Sequence, residues 1–246
     1  MLWTPLDHLK YRHYWSMKDG AVYFSGTGTV KKLRACDVGS FEVFNNAGSL
    51  LCRDRNHVYH GNTLISAIDR DSFVHVSGNY WRDQNTVYCE HETSVKPLQG
   101  CDAASFRFVG ADYAADDFHA YYAGRKLKSN QPRHLRLLSD VYASDDGNVF
   151  FDGAVLHGAD PATWQRIANG GFSRDYNNVF FGARKLPRVD LSTWKIITRV
   201  FSKDCKRVYY MNHVLTGEDP AEWNIDKAAR CEAEQKQQHT QRIPSA

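Results

Sequence analysis

The chain has 246 residues, 42% of them hydrophobic and 24% charged, with a formal net charge of +3. That balance suits a globular fold whose core needs no metal or disulfide, and the small, dispersed charge argues against a dedicated nucleic-acid binder. The amino terminus, MLWTPLDHLKYRHYW, lacks a signal-peptide pattern, and no stretch approaches the ~18 apolar residues of a membrane span, so a cytoplasmic protein is expected.

After a lead-in over 1–13, one motif recurs seven times between 14 and 225. Each copy enters on a large apolar residue: Trp15, Leu51, Tyr80, Tyr113, Tyr142, Phe172 and Phe201. Three positions on stand Asp54, Asp83, Asp116, Asp145, Asp175 and Asp204, with Lys18 in the first copy and Asp19 one place late. Four positions further comes valine, or Ala120 in the fourth copy, and then an aromatic in every copy. The intervals between copies are 36, 29, 33, 29, 30 and 29 residues.

Val-aromatic-aromatic, as in VFF at 179–181, predicts a short strand with apolar residues on both faces. Gly61, Gly124, Gly153 and Gly182 follow where a hairpin turn needs positive φ, and a return strand such as RKL at 184–186 completes the hairpin. A second half-motif comes next: DPATW at 160–164, DLSTW at 190–194 and DPAEW at 219–223, with looser forms ending at Phe41, Phe73 and Phe106 and a degraded QPRHL at 131–135. Aspartate as N-cap and proline at the first position predict a single helical turn. Trp164, Trp194 and Trp223 are then inter-repeat core, and a short apolar run after them forms a further strand. The expected fold is mainly β, with two or three short strands per copy, the copies being either stacked or closed like a propeller. Residues 226–246 predict a polar helical or disordered tail.

The repeated aspartates resemble a site but fit turn chemistry, each carboxylate accepting backbone N–H groups two and three residues on. Serines just upstream, Ser144, Ser173 and Ser202, are expected to support those turns. The D-x-N pairs Asp54/Asn56, Asp83/Asn85 and Asp175/Asn177 begin like calcium loops, yet no acid arrives at a fixed offset to complete a shell. His57, His60 and His75 read as packing residues rather than metal ligands. Cys36, Cys52, Cys89, Cys101, Cys205 and Cys231 show no C-x-x-C spacing and read as free, structural thiols. GTGTV at 26–30 is a turn, not a phosphate loop. No nucleophile, zinc or P-loop motif is present, so the expectation is a protein without catalytic residues, metal or cofactor. The repeated Trp and Tyr positions read as core before a stacking platform. The fourth copy carries the basic loop RKLKSNQPRHLR at 125–136 flanked by acids, and marks a candidate partner face.

The pattern D-x-N-x-V-[YF]-[YF]-x-G, followed by D-P-x-x-[FW], resembles the DKNYY repeat family of bacterial proteins. DYNNVFFGARKL at 175–186, DRNHVYHGNTL at 54–64 and ADPATW at 159–164 carry the resemblance; Lys18, Ala120 and Lys206 depart from it. The resemblance implies a cytoplasmic immunity protein that clamps a cognate toxin, such as a nuclease delivered by a type VI secretion system, and blocks its active site or substrate path. It carries over no catalytic residue. Alternatives are a repeat scaffold that binds a peptide or glycan and a propeller-type hydrolase. Against a basic toxin, acids outside the structural aspartate position, Asp112, Asp117, Asp140 and Asp146, are the candidate interface. No direct contact with nucleic acid or membrane is expected.

Overall fold

Val179–Phe181 is the third strand of a four-stranded antiparallel sheet in the computed structural model. The structure describes residues 3–9, 14–26, 28–46, 48–167 and 170–241, with side chains to Glu234. The sheet runs Gln165–Arg166, Phe172–Arg174, Val179–Phe181, Arg184–Lys185 in sequence order, with Phe172 opposite Phe181 and Gln165 opposite Arg174. Sheets of the same plan recur along the chain, seven among the described residues.

After the three-stranded first sheet, each sheet takes a strand from the segment after the preceding half-motif Trp or Phe, or after Leu135 in the degraded copy. Four strands therefore form where two or three were expected, and about 30 residues suffice because most strands are only two to four residues long. Between aromatic and return strands, Gly61, Gly124, Gly153 and Gly182 all have positive φ, with Asp152 and Gly153 (φ 45° and 76°) pairing as a type I′ turn requires. The first copy differs at its entry turn. Lys18 pairs with Ala21 across Asp19 and Gly20 (φ 49° and 66°), so a tight two-residue turn replaces the aspartate turn. The lead-in adds a strand, Trp3–Pro5, to the second copy's sheet beside Glu42–Phe44; residues 1, 2 and 10–13 of it lie outside the described residues.

By its internal contacts the chain divides into two units, Met1–Lys126 and Leu127–Ala246. In each, the middle residue of the aromatic strand fills the seam to the copy before it. In the first, Tyr59 packs with Trp15 and Val22, Tyr88 with Leu51 and Val58, and Tyr121 with Tyr80 and Val87. In the second, Phe180 joins Tyr142, Val149 and Trp164, and Tyr209 joins Phe172, Val179 and Trp194. Each buried aromatic contributes about 2–3 kcal/mol by removal of apolar surface from water. Trp223 packs on Phe201 and Val208 and is covered by Ala228 of the helix Ile225–Gln241, which caps the last copy; residues 242–246 of the tail lie outside the described residues. Return strands are exposed edges and are repeatedly basic (Lys31–Lys32, Arg125–Lys126, Arg184–Lys185), which discourages edge-to-edge pairing.

The six aspartates are buried. Oδ1 of Asp204 accepts the amides of Lys206 and Arg207, both at 2.7 Å, and Oδ2 accepts the amide of Asp190 (2.9 Å) and the Tyr209 hydroxyl (2.9 Å). Asp54, Asp83, Asp116 and Asp175 likewise accept the amide of the half-motif aspartate 14 to 17 residues upstream: Asp37, Asp69, Asp102 and Asp160. A hydroxyl from that half-motif completes the tie. Ser40, Ser72, Ser105, Thr163 and Thr193 accept the amide of the residue after the buried aspartate. Ser144, Ser173 and Ser202 do not take this part and are fully buried; Ser173 and Ser202 share a close-packed position that holds Ala114, Ala143 or Cys52 in other copies, and Ser144 lies one place further on.

In the degraded copy, Gln131 stands where the half-motif aspartate belongs, and the tie is remade with other atoms. The Gln131 amide donates to Ser129 Oγ (3.2 Å), whose hydroxyl donates to Asp145 Oδ2 (2.6 Å). His134 of the same turn pairs with Asp146.

Removing the Tyr209 hydroxyl as Tyr209→Phe deletes a bond to a buried charge and should cost about 1.5–3 kcal/mol in denaturant unfolding. Phe180→Leu, at a copy that never had this bond, is the packing control, and a Tyr209→Phe cost below ~0.5 kcal/mol would show the tie contributes little. Burial alone would raise the carboxyls of Asp54, Asp83, Asp116 and Asp204, but their hydrogen bonds outweigh it and hold them below the ordinary aspartate value. The stability they contribute is therefore complete above the unfolded-chain value of about 3.9 and is lost as pH falls through the lower native values. Far-UV circular dichroism should stay native to about pH 4 and change below it; acid unfolding complete near pH 5 would contradict this assignment.

Candidate functional site

The repeat itself works as a ruler. From each closing Leu or Ile to the last residue of the following half-motif, aromatic in all copies but the fourth (Leu135), is eight positions, as from Leu33 to Phe41 or Leu186 to Trp194. From the last aromatic-strand residue to that Leu or Ile is five positions, as from Phe181 to Leu186, except in copies one (Phe24 to Leu33) and three (Cys89 to Leu98), where it is nine. From half-motif aromatic to the next entry residue is seven or eight, except from Phe41 to Leu51, where it is ten. These three insertions account for the long intervals of 36 and 33 residues.

All three meet at one place in the first unit. A cavity of about 540 Å³ is lined by Gly26 from the first hairpin, by Asn45, Asn46, Ser49 and Leu50 from the lengthened loop, and by Glu92 from the third hairpin. Tyr14, Trp15, Val43 and Phe44 make its apolar wall. An adjoining cavity of about 280 Å³ shares Phe44, Asn46, Ser49 and Glu92 and adds Asn79, Glu90 and His91.

Glu90 latches the loop. The third hairpin extends its strands to Val87–His91 and Ser94–Pro97, so Glu90 lies in a ladder where other copies turn. Its Oε1 accepts the Leu50 amide and the Ser49 hydroxyl, both at 2.9 Å, and its Oε2 accepts Trp81 Nε1 at 3.2 Å. His60 Nε2 lies 3.5 Å from Oε1, an ion-pair distance whose angle does not make a hydrogen bond. Trp81 is itself an exception. Its position holds Ser16, Cys52, Ala114, Ala143, Ser173 and Ser202 in the other copies. The indole stacks on Phe73 (5.0 Å, 11°) and meets Phe44 edge-on (4.4 Å), fixing the wall that both cavities share.

The acids expected at an interface divide between the two units. Asp112 and Asp117 belong to the first unit and Asp140 and Asp146 to the second. Asp112 is half-buried and its carbonyl accepts the Tyr80 hydroxyl (2.8 Å); Asp117, Asp140 and Asp146 are exposed, and Asp146 pairs with His134 and Arg136. Trp164 and Trp194 are half-buried in their seams and Trp223 is buried. The three histidines turn to separate partners: His57 to Asp54, His60 to Glu90, and His75 to the Gly78 carbonyl. Among the described residues no three His, Cys, Asp or Glu side chains are placed to hold a metal. The cysteines are free; Cys205 is exposed, while burial pushes the thiols of Cys36, Cys89 and Cys101 up to about 12. No helix of the described residues is long and apolar enough to cross a membrane.

The model of the DKNYY family matches residues 15–138 and 127–184, more than half of the chain. The chain belongs to the DKNYY family. No curated protein and no solved structure matches it. The family pattern accounts for the buried aspartates and seam aromatics, while the insertions that line the cavity are this DKNYY protein's departures from its own repeat. Sequence reading looked to the fourth copy for variation; the unequal intervals of 36 and 33 residues were the signal for the cavity.

Glu90→Ala should leave the Leu50 amide and Trp81 Nε1 unpaired and destabilise the chain by about 2–4 kcal/mol. The Leu50 amide should also exchange with deuterium at least about tenfold faster. Unchanged exchange at Leu50 would show that the loop holds its place without the latch.

Proposed function

We propose that this DKNYY-family chain is a non-catalytic binding protein, an immunity protein that neutralises a cognate bacterial toxin by covering its active site or substrate path. The observation that carries the reading is the division of labour between repeated and unrepeated residues. The repeated carboxylates are occupied by backbone amides and hydroxyls of the scaffold. What is left to distinguish this chain is concentrated in loops and hairpin tips, where partner recognition is ordinarily placed on a rigid frame. The family resemblance supplies the class of partner. A toxin acting in the cytosol, such as a nuclease delivered by a type VI secretion system, would be met there by a cytoplasmic binder.

Nucleases carry basic substrate-binding surfaces, so acids on the binder steer encounter. Co-expression with a toxin encoded beside this chain should restore growth, and the purified pair should bind at nanomolar affinity. Reversing Asp112, Asp117, Asp140 and Asp146 to lysine should slow association about tenfold and flatten its salt dependence. A chain that forms no complex with such a toxin yet binds a peptide or glycan would replace immunity with a scaffold role. An unchanged rate and salt dependence would remove those four acids from the interface.

A further inference from the structure

The insertions that build the two adjoining cavities also set their charge. The described lining of both holds Glu90 and Glu92 and no lysine or arginine. Glu90 is 9% exposed and its oxygens are taken by Ser49, Leu50 and Trp81. Glu92 differs. It sits exposed at the turn of the lengthened third hairpin, lines both cavities, and makes no hydrogen bond or ion pair among the described residues. The side-chain amides of Asn45, Asn46 and Asn79 around the mouth are likewise without a hydrogen-bond partner among the described residues. The apolar part of the lining is Tyr14, Trp15, Val43, Phe44 and Leu50.

An apolar lining that also holds a carboxylate and amide oxygens matches one kind of side chain. A lysine or arginine has an apolar stem of three or four methylenes that packs on aromatic and aliphatic surface, and a charged head that seeks acceptors. Low-dielectric walls with a carboxylate, and no lysine or arginine among their described residues, focus a negative potential into the cavity. We infer that the cavity formed by the three insertions is a socket for a basic anchor residue, an arginine or lysine that a protein partner inserts, with Glu92 as its counter-charge and Phe44 and Leu50 along its stem. Arginine suits the site better than lysine, because its planar fork can engage Glu92 and an asparagine oxygen together. The inference rests on reading the chain as a binder of a basic protein and names the place where that partner is held. Glu90 then serves as a positioning residue: it fixes the loop whose Asn45, Asn46 and Leu50 form one side of the socket.

The probe is Nα-acetyl-L-arginine amide, titrated into the ¹⁵N-labelled full chain, with the neutral isostere Nα-acetyl-L-citrulline amide as control. Saturable shifts of the Trp15 indole N–H and of the Ser49 and Leu50 amides are expected, with a dissociation constant on the order of 1 mM. Glu92→Gln, a change at an exposed turn, should weaken binding about fivefold, and citrulline should bind weaker than arginine by a similar factor. Equal binding of arginine and citrulline, an unaffected Glu92→Gln variant, or no saturable shift at these three groups would each overturn the socket. Saturable binding of a neutral oligosaccharide such as cellotriose at the same peaks, without arginine binding, would overturn it in favour of a glycan site. Cell protection separates this inference from immunity itself. A toxin neutralised equally by wild type and Glu92→Gln would remove the socket and keep immunity. An arginine socket in a chain that protects no cell would keep the socket and remove immunity.

Discussion

One buried carboxylate in six of the seven copies, held by donors from two places, carries the architecture. An ionised group taken out of water must find donors, and a turn of its own chain supplies only two. The others come from the half-motif of the segment before, so satisfying the charge fastens two stretches 14 to 17 residues apart. This matters because strands of two or three residues offer few ladder bonds of their own. The tie takes over work that long strands do in larger sheets, and it explains why the fourth copy, with Gln131 in place of the half-motif aspartate, rebuilds the link through Ser129 rather than going without.

Because the tie and the aromatic seam fix the joint, chain length can vary only away from it. The eight-residue span into the last residue of each half-motif never changes, whereas hairpin tips and one entry loop lengthen. Three separate lengthenings end at one cavity, and the Glu90 carboxylate joins two of them, the entry loop and the third hairpin. Trp81 belongs to the same departure, since a large side chain at a small-residue position both needs the altered neighbours and holds them.

Much of the fold was legible because repetition filters local noise: seven copies separate a required aspartate from an incidental one. The hairpins, helical turns, seam aromatics and capping helix follow from local patterns. The entry strand was not legible, since Phe172–Arg174 has one aromatic beside a serine and an arginine and becomes a strand by pairing with Gln165–Arg166 and Val179–Phe181. The upstream serines misled for a related reason. Ser173 looks like turn chemistry in sequence, but small size at a crowded position is what its environment demands. The cavity was present only as unequal intervals, whose convergence is a tertiary fact. A register of lengths, copy by copy, would have pointed to it; an inventory of residue types could not.

The lengthened third hairpin gains two residues on each arm, Glu90 and His91 opposite Val95 and Ser94. An even step of this kind leaves every earlier side chain on its original face, whereas an odd step would reverse the inside and outside of an arm. The tips of this array can therefore be remodelled in discrete increments without renegotiating the interior. Selection acting on such a chain has a cheap variable, the reach of a hairpin, that is almost decoupled from its foldability.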